Sequence, residues 1–351
     1  MKSKINVFKI LITFFKVGIS VYLAYFIYSS INWTELAQTA VSAKLSFIIF
    51  GFLIMIPNLF FDWLKWDYMV RLIDRKISKA KTFKSVLSGL TLNTVFNNPI
   101  ADYGGRILAL NELPKGSLVA FHFFEKTQLL VVNVIAGSVS LVILGNGGYF
   151  DQSMSATLLY LGYGLGSFSF LSGIILTVPK FYVLFVSIFR KIAKKYIDDA
   201  ISSVSILNFG DSLYILFINI LKVVTFNVQF YAVLLAFGFV NIYISFLGST
   251  GTLMVKWVLE GLSFSDIGIR GAASVFFFTK LGVASAVALN TAMILVVINR
   301  ILPSAVGALF FLGTDFKSNS VRRSVRLYRL QRTRKRMNHR NTEVPGKKTQ
   351  P

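Results

Sequence analysis

The sequence predicts an all-α polytopic membrane protein with about six full spans and two broken re-entrant hairpins, arranged in two inverted halves. Hydrophobic residues make up 54% of the 351 residues, and charged residues make up only 15%. An average soluble domain carries about 25% charge. The apolar runs are about 20 residues long, which is the length of a membrane-crossing helix. One charged, glycine-containing motif occurs once in each half of the chain.

The net charge of +22 first suggests a nucleic-acid partner, but its distribution argues against one. Twelve of the 37 Lys and Arg lie at 317–351, and most of the others lie in short loops between apolar runs. This pattern is typical of cytoplasmic loops in membrane proteins. The chain has no cysteine, and its two histidines, His122 and His339, are far apart. We therefore expect no nucleic acid, no disulfide, no cofactor and no histidine-rich metal site.

Apolar runs and basic loops predict the spans and their orientation. The predicted spans lie at about 10–31, 45–64, 117–144, 155–178, 213–237 and 283–312. The basic loops at 65–84 and 179–210 are expected in the cytoplasm, whereas the loop at 145–155 has no Lys or Arg and is expected outside. Within the second basic loop, 181–196 is expected to lie along the inner membrane surface. Both termini are then cytoplasmic, in a bacterial inner (plasma) membrane.

Two irregular stretches, 85–117 and 240–282, do not have the pattern of ordinary spans. In the first, Asn97, Asn98 and Pro99 stop a helix, because proline lacks an amide hydrogen and the residue before it avoids the α region. We interpret both stretches as hairpins of half-helices. The order of elements in 1–150 is then repeated upside down in 151–316, as in many secondary transporters. A basic cytoplasmic tail follows at 317–351.

The repeated motif reads Asp-x-Gly-x-Arg, from Asp102 to Arg106 and from Asp266 to Arg270. Acid and base four residues apart lie on one face of a helix and can partly neutralise each other. Guanidinium matches phosphate oxygens bidentately, so both arginines are candidate ligands for a phosphate. The alternative is a pair of structural ion pairs that hold the hairpins in place.

Four further charges are included among the candidate substrate-binding residues. Glu125 and Lys126 lie near the inner end of the third span and are either structural or cavity-lining. Lys256 and Glu260 lie four residues apart beside the second motif, where a local ion pair is the alternative. Lys222, within the fifth span, is not one of these four candidates. It is either a cavity residue or a lysine that snorkels to the membrane surface. No catalytic residue and no metal ligand is predicted.

The order of these features resembles the transmembrane domain of lysylphosphatidylglycerol synthases and related flippase-like membrane proteins. The resemblance covers about residues 5–313. It rests on Asn93 to Pro99 followed by Gly-Gly and Arg106, on Glu125-Lys126, and on the late Gly-Ile-Arg at 268–270. The chain departs from the family pattern where Gly105 and Gly271 replace glutamates. The resemblance implies lipid translocation between leaflets. The synthases' soluble aminoacyl-transferase domain has no counterpart here, so we do not expect this chain to make the lipid.

The leading hypothesis is a non-enzymatic transporter for a phosphate-bearing lipid or a lipid-linked precursor. Its partners are membrane lipids, either anionic phospholipid or lipid-linked phosphate. Two alternatives remain open: a membrane-embedded transferase that acts on a lipid-phosphate acceptor, and a non-transporting membrane scaffold. No motif for a nucleotide or acyl donor is present in the sequence, and the sequence does not define an oligomeric state.

Overall fold

The computed structural model describes residues 7–96, 99–187, 198, 201, 204–260 and 266–312. All regular elements within these ranges are helical, which confirms the predicted all-α class. The tail at 317–351 and most of the surface segment predicted at 181–196 lie outside the described residues. The helices are α1 Val7–Ser30, α2 Trp33–Ser42, α3 Leu45–Ile73, α4 Lys79–Phe96, α5 Pro99–Ala109, α6 Lys115–Asn146, α7 Gln152–Thr177, α8 Pro179–Ser187, α9 Phe209–Ala236, α10 Ile242–Leu259, α11 Asp266–Lys280, α12 Ser285–Val296 and α13 Leu302–Leu312, with a π-helical turn at Val297–Ile301 between the last two.

Several helices begin at polar residues that satisfy their free amide hydrogens. Asn32 caps α2 and Asn241 caps α10. Asn208 and Asp211 form a reciprocal capping box at the start of α9. Asp151 caps α7, and the Met154 N–H that it accepts, together with the Ser153 hydroxyl, lowers the pKa of its carboxyl. These local signals fix where the helices start.

Among the residues that the structure describes, six helices are long and apolar enough to cross a membrane. They are α3, α6, α7, α9, α10 and the continuous segment Ser285–Phe310. This is compatible with an integral membrane protein. The set differs from the prediction at two points. Helix α10 qualifies although it was assigned to a hairpin, and the predicted first span falls in α1, whose described apolar part, Val17–Ser30, is shorter than the others.

Glycines allow the two irregular stretches to form closely packed helix pairs. In the α4–α5 pair, a Cβ at Gly105 would overlap the Ser88 carbonyl, and one at Gly89 would overlap Asp102. In the α10–α11 pair, Gly248 lies against the ring of Phe278 in the same way. Along α4 and α5, the earlier Ser88 faces the later Gly105 and the later Gly89 faces the earlier Asp102, so the two helices run in opposite directions.

The helix pairs pack against distant parts of the chain. Helix α4 packs on α13, and α10 packs on α6. Helices α3 and α9 pack against each other between them. The apolar core is divided into three clusters, one of which surrounds the fully buried Trp66. The polar residues described below lie where these packed helices meet.

Candidate functional site

Both copies of the Asp-x-Gly-x-Arg motif form the expected ion pair within one helical turn. Arg106 Nε donates to Asp102 Oδ1 at 2.9 Å in α5. Arg270 Nη2 donates to Asp266 Oδ2 at 3.0 Å in α11. Both arginines are buried. The local pairing predicted from the four-residue spacing is confirmed, and each arginine has a carboxylate that offsets the cost of its burial.

A cavity of about 140 Å³ lies between the helix pairs and the long helices around them. A buried water needs only about 10–15 Å³, so the cavity has room for several waters or a group of about phosphate size. Residues on α3, α4, α5, α6, α9, α10, α11, the π-helical turn and α13 contribute to its walls. The charged residues of the lining are Asp62, Asp102, Lys126, Lys222, Lys256, Glu260, Asp266, Arg270 and Arg300.

Six of the eight candidate residues therefore line one cavity, and two lie behind its wall. Arg106 is directed away from the cavity, stacks on the Trp66 ring with its guanidinium 4.9 Å from the ring centroid, and lies 3.5 Å from Glu125. Glu125 is fully buried and also lies 3.5 Å from Lys65. Of the two motif arginines, both of them candidate phosphate ligands, Arg270 lines the cavity and Arg106 does not. The close packing of α5 on α4 directs its side chain inward.

Asp102 links the cavity to this buried cluster. One of its carboxylate oxygens accepts from Arg106, and the other lies 3.2 Å from Lys126, which lines the cavity. The same oxygen lies 3.6 Å from Nε2 of His122. Asp102 is thus shared between a fixed cation inside the protein and a lysine whose side chain is 27% exposed. Only the lysine can turn toward a ligand in the cavity.

Asp266 has a similar position on the other side of the cavity. It lies between Arg270 and Arg300, at 3.0 Å and 3.1 Å. Beside it, Lys256 and Glu260 form the local ion pair that was weighed as an alternative, at 2.9 Å. The Lys256 ammonium also stacks on Trp257. The Nε of Arg270 is buried without a hydrogen-bond partner in the described part of the chain, although the other side of its guanidinium is paired.

Arg300 lies on the π-helical turn and contacts both helix pairs. Pro303 explains this turn, because its ring would clash with the carbonyl of residue 299 in a regular helix. The Leu302 N–H instead bonds to Val297 O, five residues back. Arg300 Nη2 donates to the Asn93 carbonyl of α4 at 2.8 Å, and Nη1 lies near Asp266 of α11. Such π-turns are often found at functional sites.

Asp62 on α3 is a cavity residue that sequence reasoning missed. It lies between Lys65, at 3.2 Å, and Lys222 of α9. Lys222 is thereby a cavity residue, the first of the two interpretations of its position. The signal for Asp62 was present, because an acid within an apolar span is costly and is a functional candidate by default. Arg300, within the last predicted span at 283–312, is likewise absent from the candidates chosen from the sequence.

The buried charges do not balance. In the described residues that form the cavity and the cluster behind it, the cations exceed the carboxylates by seven to five. With His122 neutral, this leaves a formal excess of two positive charges. The cations are Lys65, Arg106, Lys126, Lys222, Lys256, Arg270 and Arg300, and the carboxylates are Asp62, Asp102, Glu125, Glu260 and Asp266. An anion is the ligand that such a cavity favours.

The charged residues lie at similar depths in their helices. At 1.5 Å per residue, Asp62, Lys126, Lys222 and Arg300 are each about 16–20 Å from the nearer end of their helical segments. The hydrocarbon core of a bilayer is about 30 Å thick. The cavity is therefore level with the middle of the long apolar helices.

In its described residues, the protein is helical, with six helices long and apolar enough to cross a membrane and a cation-rich cavity at their mid-depth. No protein-family model, curated protein or solved structure matches the chain significantly. In the described residues, no group of three or more His, Asp and Glu is arranged to hold a metal ion.

Proposed function

We propose that this protein is a transporter that moves a phosphate-bearing lipid, or a lipid-linked precursor, between the leaflets of a bacterial inner membrane. The observation that carries the proposal is the cation-rich cavity at the mid-depth of the apolar helices. A charge at this depth costs at least about 2.5–3.5 kcal/mol when unpaired. An excess of cations there is best explained by a ligand that brings negative charge.

The phosphate is recognised by Arg270, Arg300, Lys126 and Lys256. The unpaired Nε of Arg270 offers a free donor beside the Nη group that holds Asp266. Arginine presents its donors as a planar fork that matches phosphate oxygens. A headgroup phosphate in the cavity competes with the aspartates for these cations, and its binding weakens the contacts that join the two helix pairs.

The packing supports the hypothesis of two inverted halves. If α3 corresponds to α9, then α4–α5 corresponds to α10–α11, and α6 corresponds to the segment from α12 to α13. The contact of α4 with α13 then has its counterpart in the contact of α10 with α6. The α3–α9 contact is its own counterpart, as expected for elements next to a two-fold axis. Rocking of one half against the other gives alternating access to a central site.

A groove between α3 and α4 supports a lipid as the substrate. It has a volume of about 380 Å³, and its walls are apolar except for Lys79 near one end. Leu59 lines both this groove and the cavity. The cavity and the groove are therefore neighbours on the two sides of Leu59, and we propose that a phosphate in the cavity is joined to an acyl chain in the groove. In this arrangement the headgroup crosses in the polar cavity while the chain stays in the apolar phase.

We further propose that both termini are cytoplasmic and that the protein is related to flippase-like membrane proteins. The basic loops favour cytoplasmic termini. The resemblance to the transmembrane domain of lysylphosphatidylglycerol synthases agrees with lipid translocation and with a non-enzymatic role.

Leaflet exchange of a labelled phospholipid in vesicles that contain the purified protein tests this function. Arg270→Ala should reduce the rate while the protein still inserts, and Arg270→Lys should restore it only in part, because the fork is lost. Arg71→Ala is a matched control, since Arg71 forms the same four-residue ion pair with Asp67 outside the cavity. No acceleration by the folded wild-type protein with any phosphate-bearing lipid would refute the proposal.

A further inference from the structure

His122 is a buried titratable residue that the phosphate site does not use. It lies on α6, and its two ring nitrogens face carboxylates on two different helices. Nδ1 is 3.5 Å from Glu125 Oε1, and Nε2 is 3.6 Å from Asp102 Oδ2. A neutral imidazole carries one N–H, whereas two acceptors facing both nitrogens match the two donors of an imidazolium.

The two carboxylates are occupied by cations when the cavity holds no anion. Asp102 accepts from Arg106 and lies 3.2 Å from Lys126, while Glu125 lies between Arg106 and Lys65, each at 3.5 Å. The distances from both oxygens to the His122 ring exceed those of ordinary hydrogen bonds. This geometry fits a neutral ring. The remaining faces of the ring meet the aromatic rings of Trp66 and Tyr103.

Lys126 connects this cluster to the cavity. Among the described residues of this cluster, Lys126 and Asp102 both line the cavity. The side chain of Lys126 is partly exposed, whereas that of Asp102 is buried. An anion in the cavity draws the Lys126 ammonium away from Asp102. The Asp102 oxygen that faces Nε2 of His122 then loses its cationic partner, and a proton on His122 replaces it.

We propose that His122 is a proton-binding site, and that the transporter binds one proton together with each phosphate-bearing headgroup. This inference rests on the proposed function. A phosphodiester headgroup brings one negative charge and His122 takes up one positive charge, so the charge of the site is unchanged. Because coupling between two ligands is reciprocal, the proton strengthens lipid binding as much as the lipid strengthens proton binding. Lipid then moves in the direction in which protons flow.

Calorimetry of the full chain in detergent tests the coupling. The probe is dihexanoyl phosphatidylglycerol, whose phosphodiester does not titrate near neutral pH, and dioctanoylglycerol is the control without phosphate. Titrations in two buffers of different ionisation enthalpy give the number of protons taken up. We expect close to one proton per lipid at pH 7, and an affinity that falls by up to about tenfold per pH unit above that.

His122→Gln should still bind the phospholipid, but without proton uptake and without pH dependence of the affinity. His122→Asn is a second variant in case the first does not fold. Thr127→Ala is the control, since the Thr127 hydroxyl bonds only to the Phe123 carbonyl of its own helix among the described contacts. Wild-type binding without proton uptake, or uptake that persists in the His122 variants, would overturn the inference and leave the transporter proposal intact. Absence of any phospholipid binding by the wild type would overturn both.

Discussion

Replacing Arg300 by glutamine removes the cation that joins the two helix pairs. In the wild type, Arg300 Nη2 donates to the backbone carbonyl and to the side-chain Oδ1 of Asn93 in α4, at 2.8 Å and 3.2 Å. Its Nη1 pairs with Asp266 of α11 at 3.1 Å. Glutamine keeps a donor for the carbonyl but brings no charge. We expect Arg300→Gln to weaken binding of a phosphate-bearing lipid and to slow its movement between leaflets.

The size of the effect follows from what the substitution leaves behind. Breaking a buried ion pair outright costs about 3–5 kcal/mol. Asp266 keeps Arg270 at 3.0 Å, so the loss of Arg300 is closer to one charge-assisted hydrogen bond, about 1.5–3 kcal/mol. If the phosphate uses this cation, its affinity falls by about 10–150-fold, at 1.4 kcal/mol per tenfold. The folded state loses a similar free energy.

Measuring lipid affinity and thermal stability on the same variants separates the effect on binding from the effect on folding. Lipid affinity is obtained by titration with short-chain phosphatidylglycerol, and stability is obtained from thermal melts of the same preparation. Arg300→Lys keeps the charge and should lie between wild type and glutamine in affinity. Arg71→Ala, outside the cavity, should leave the affinity unchanged. Wild-type affinity and leaflet exchange in Arg300→Gln would refute a role for this residue in the site.

Three further predictions concern topology, packing and the buried cluster. An impermeant thiol reagent added to intact cells should label Gln152→Cys but not Asn341→Cys, and the reverse would invert the orientation. Gly105→Val should lower the melting temperature strongly, because a Cβ there meets the Ser88 carbonyl, whereas Gly104→Ala, which has open space, should not. Glu125→Gln should destabilise the protein by about 1.5–3 kcal/mol, because it removes a fully buried carboxylate whose cationic neighbours, Arg106 and Lys65, still keep Asp102 and Asp62; a melt unchanged from wild type would contradict this.

Local chemistry was predictable from the sequence. The spacing of Asp102 and Arg106, and of Asp266 and Arg270, is sufficient to predict their ion pairs, because residues four apart on a helix are neighbours. The same argument gave the Lys256–Glu260 ion pair as one of two interpretations of these residues, and the structure contains that pair. The long apolar runs likewise predicted most of the membrane-length helices. These features depend on residues that are close in sequence.

The cavity itself was only partly predictable, because its walls join residues that are far apart in the chain. The pairs Asp62–Lys222 and Arg300–Asp266 form only when α3 meets α9 and when the π-helical turn meets α11. No periodicity specifies these contacts. The burial of Arg106 depends on the packing of α5 against α4 and on Trp66, which the motif does not encode. Intramembrane charge identified candidates, but tertiary packing decided which of them face the cavity.

Leu59 lies between the polar cavity and the apolar groove. One side of this leucine contributes to a wall lined by nine charged residues, and the other contributes to a groove of apolar side chains. Water and ions in the first space must pass such a barrier to reach the lipid phase, where a free charge is not stable. If the groove faces lipid, as proposed, the bulk of Leu59 contributes to the barrier between ions in the cavity and the lipid phase. A smaller residue at position 59 would allow lipid to pass more easily, but it would also raise the leak of ions across the membrane.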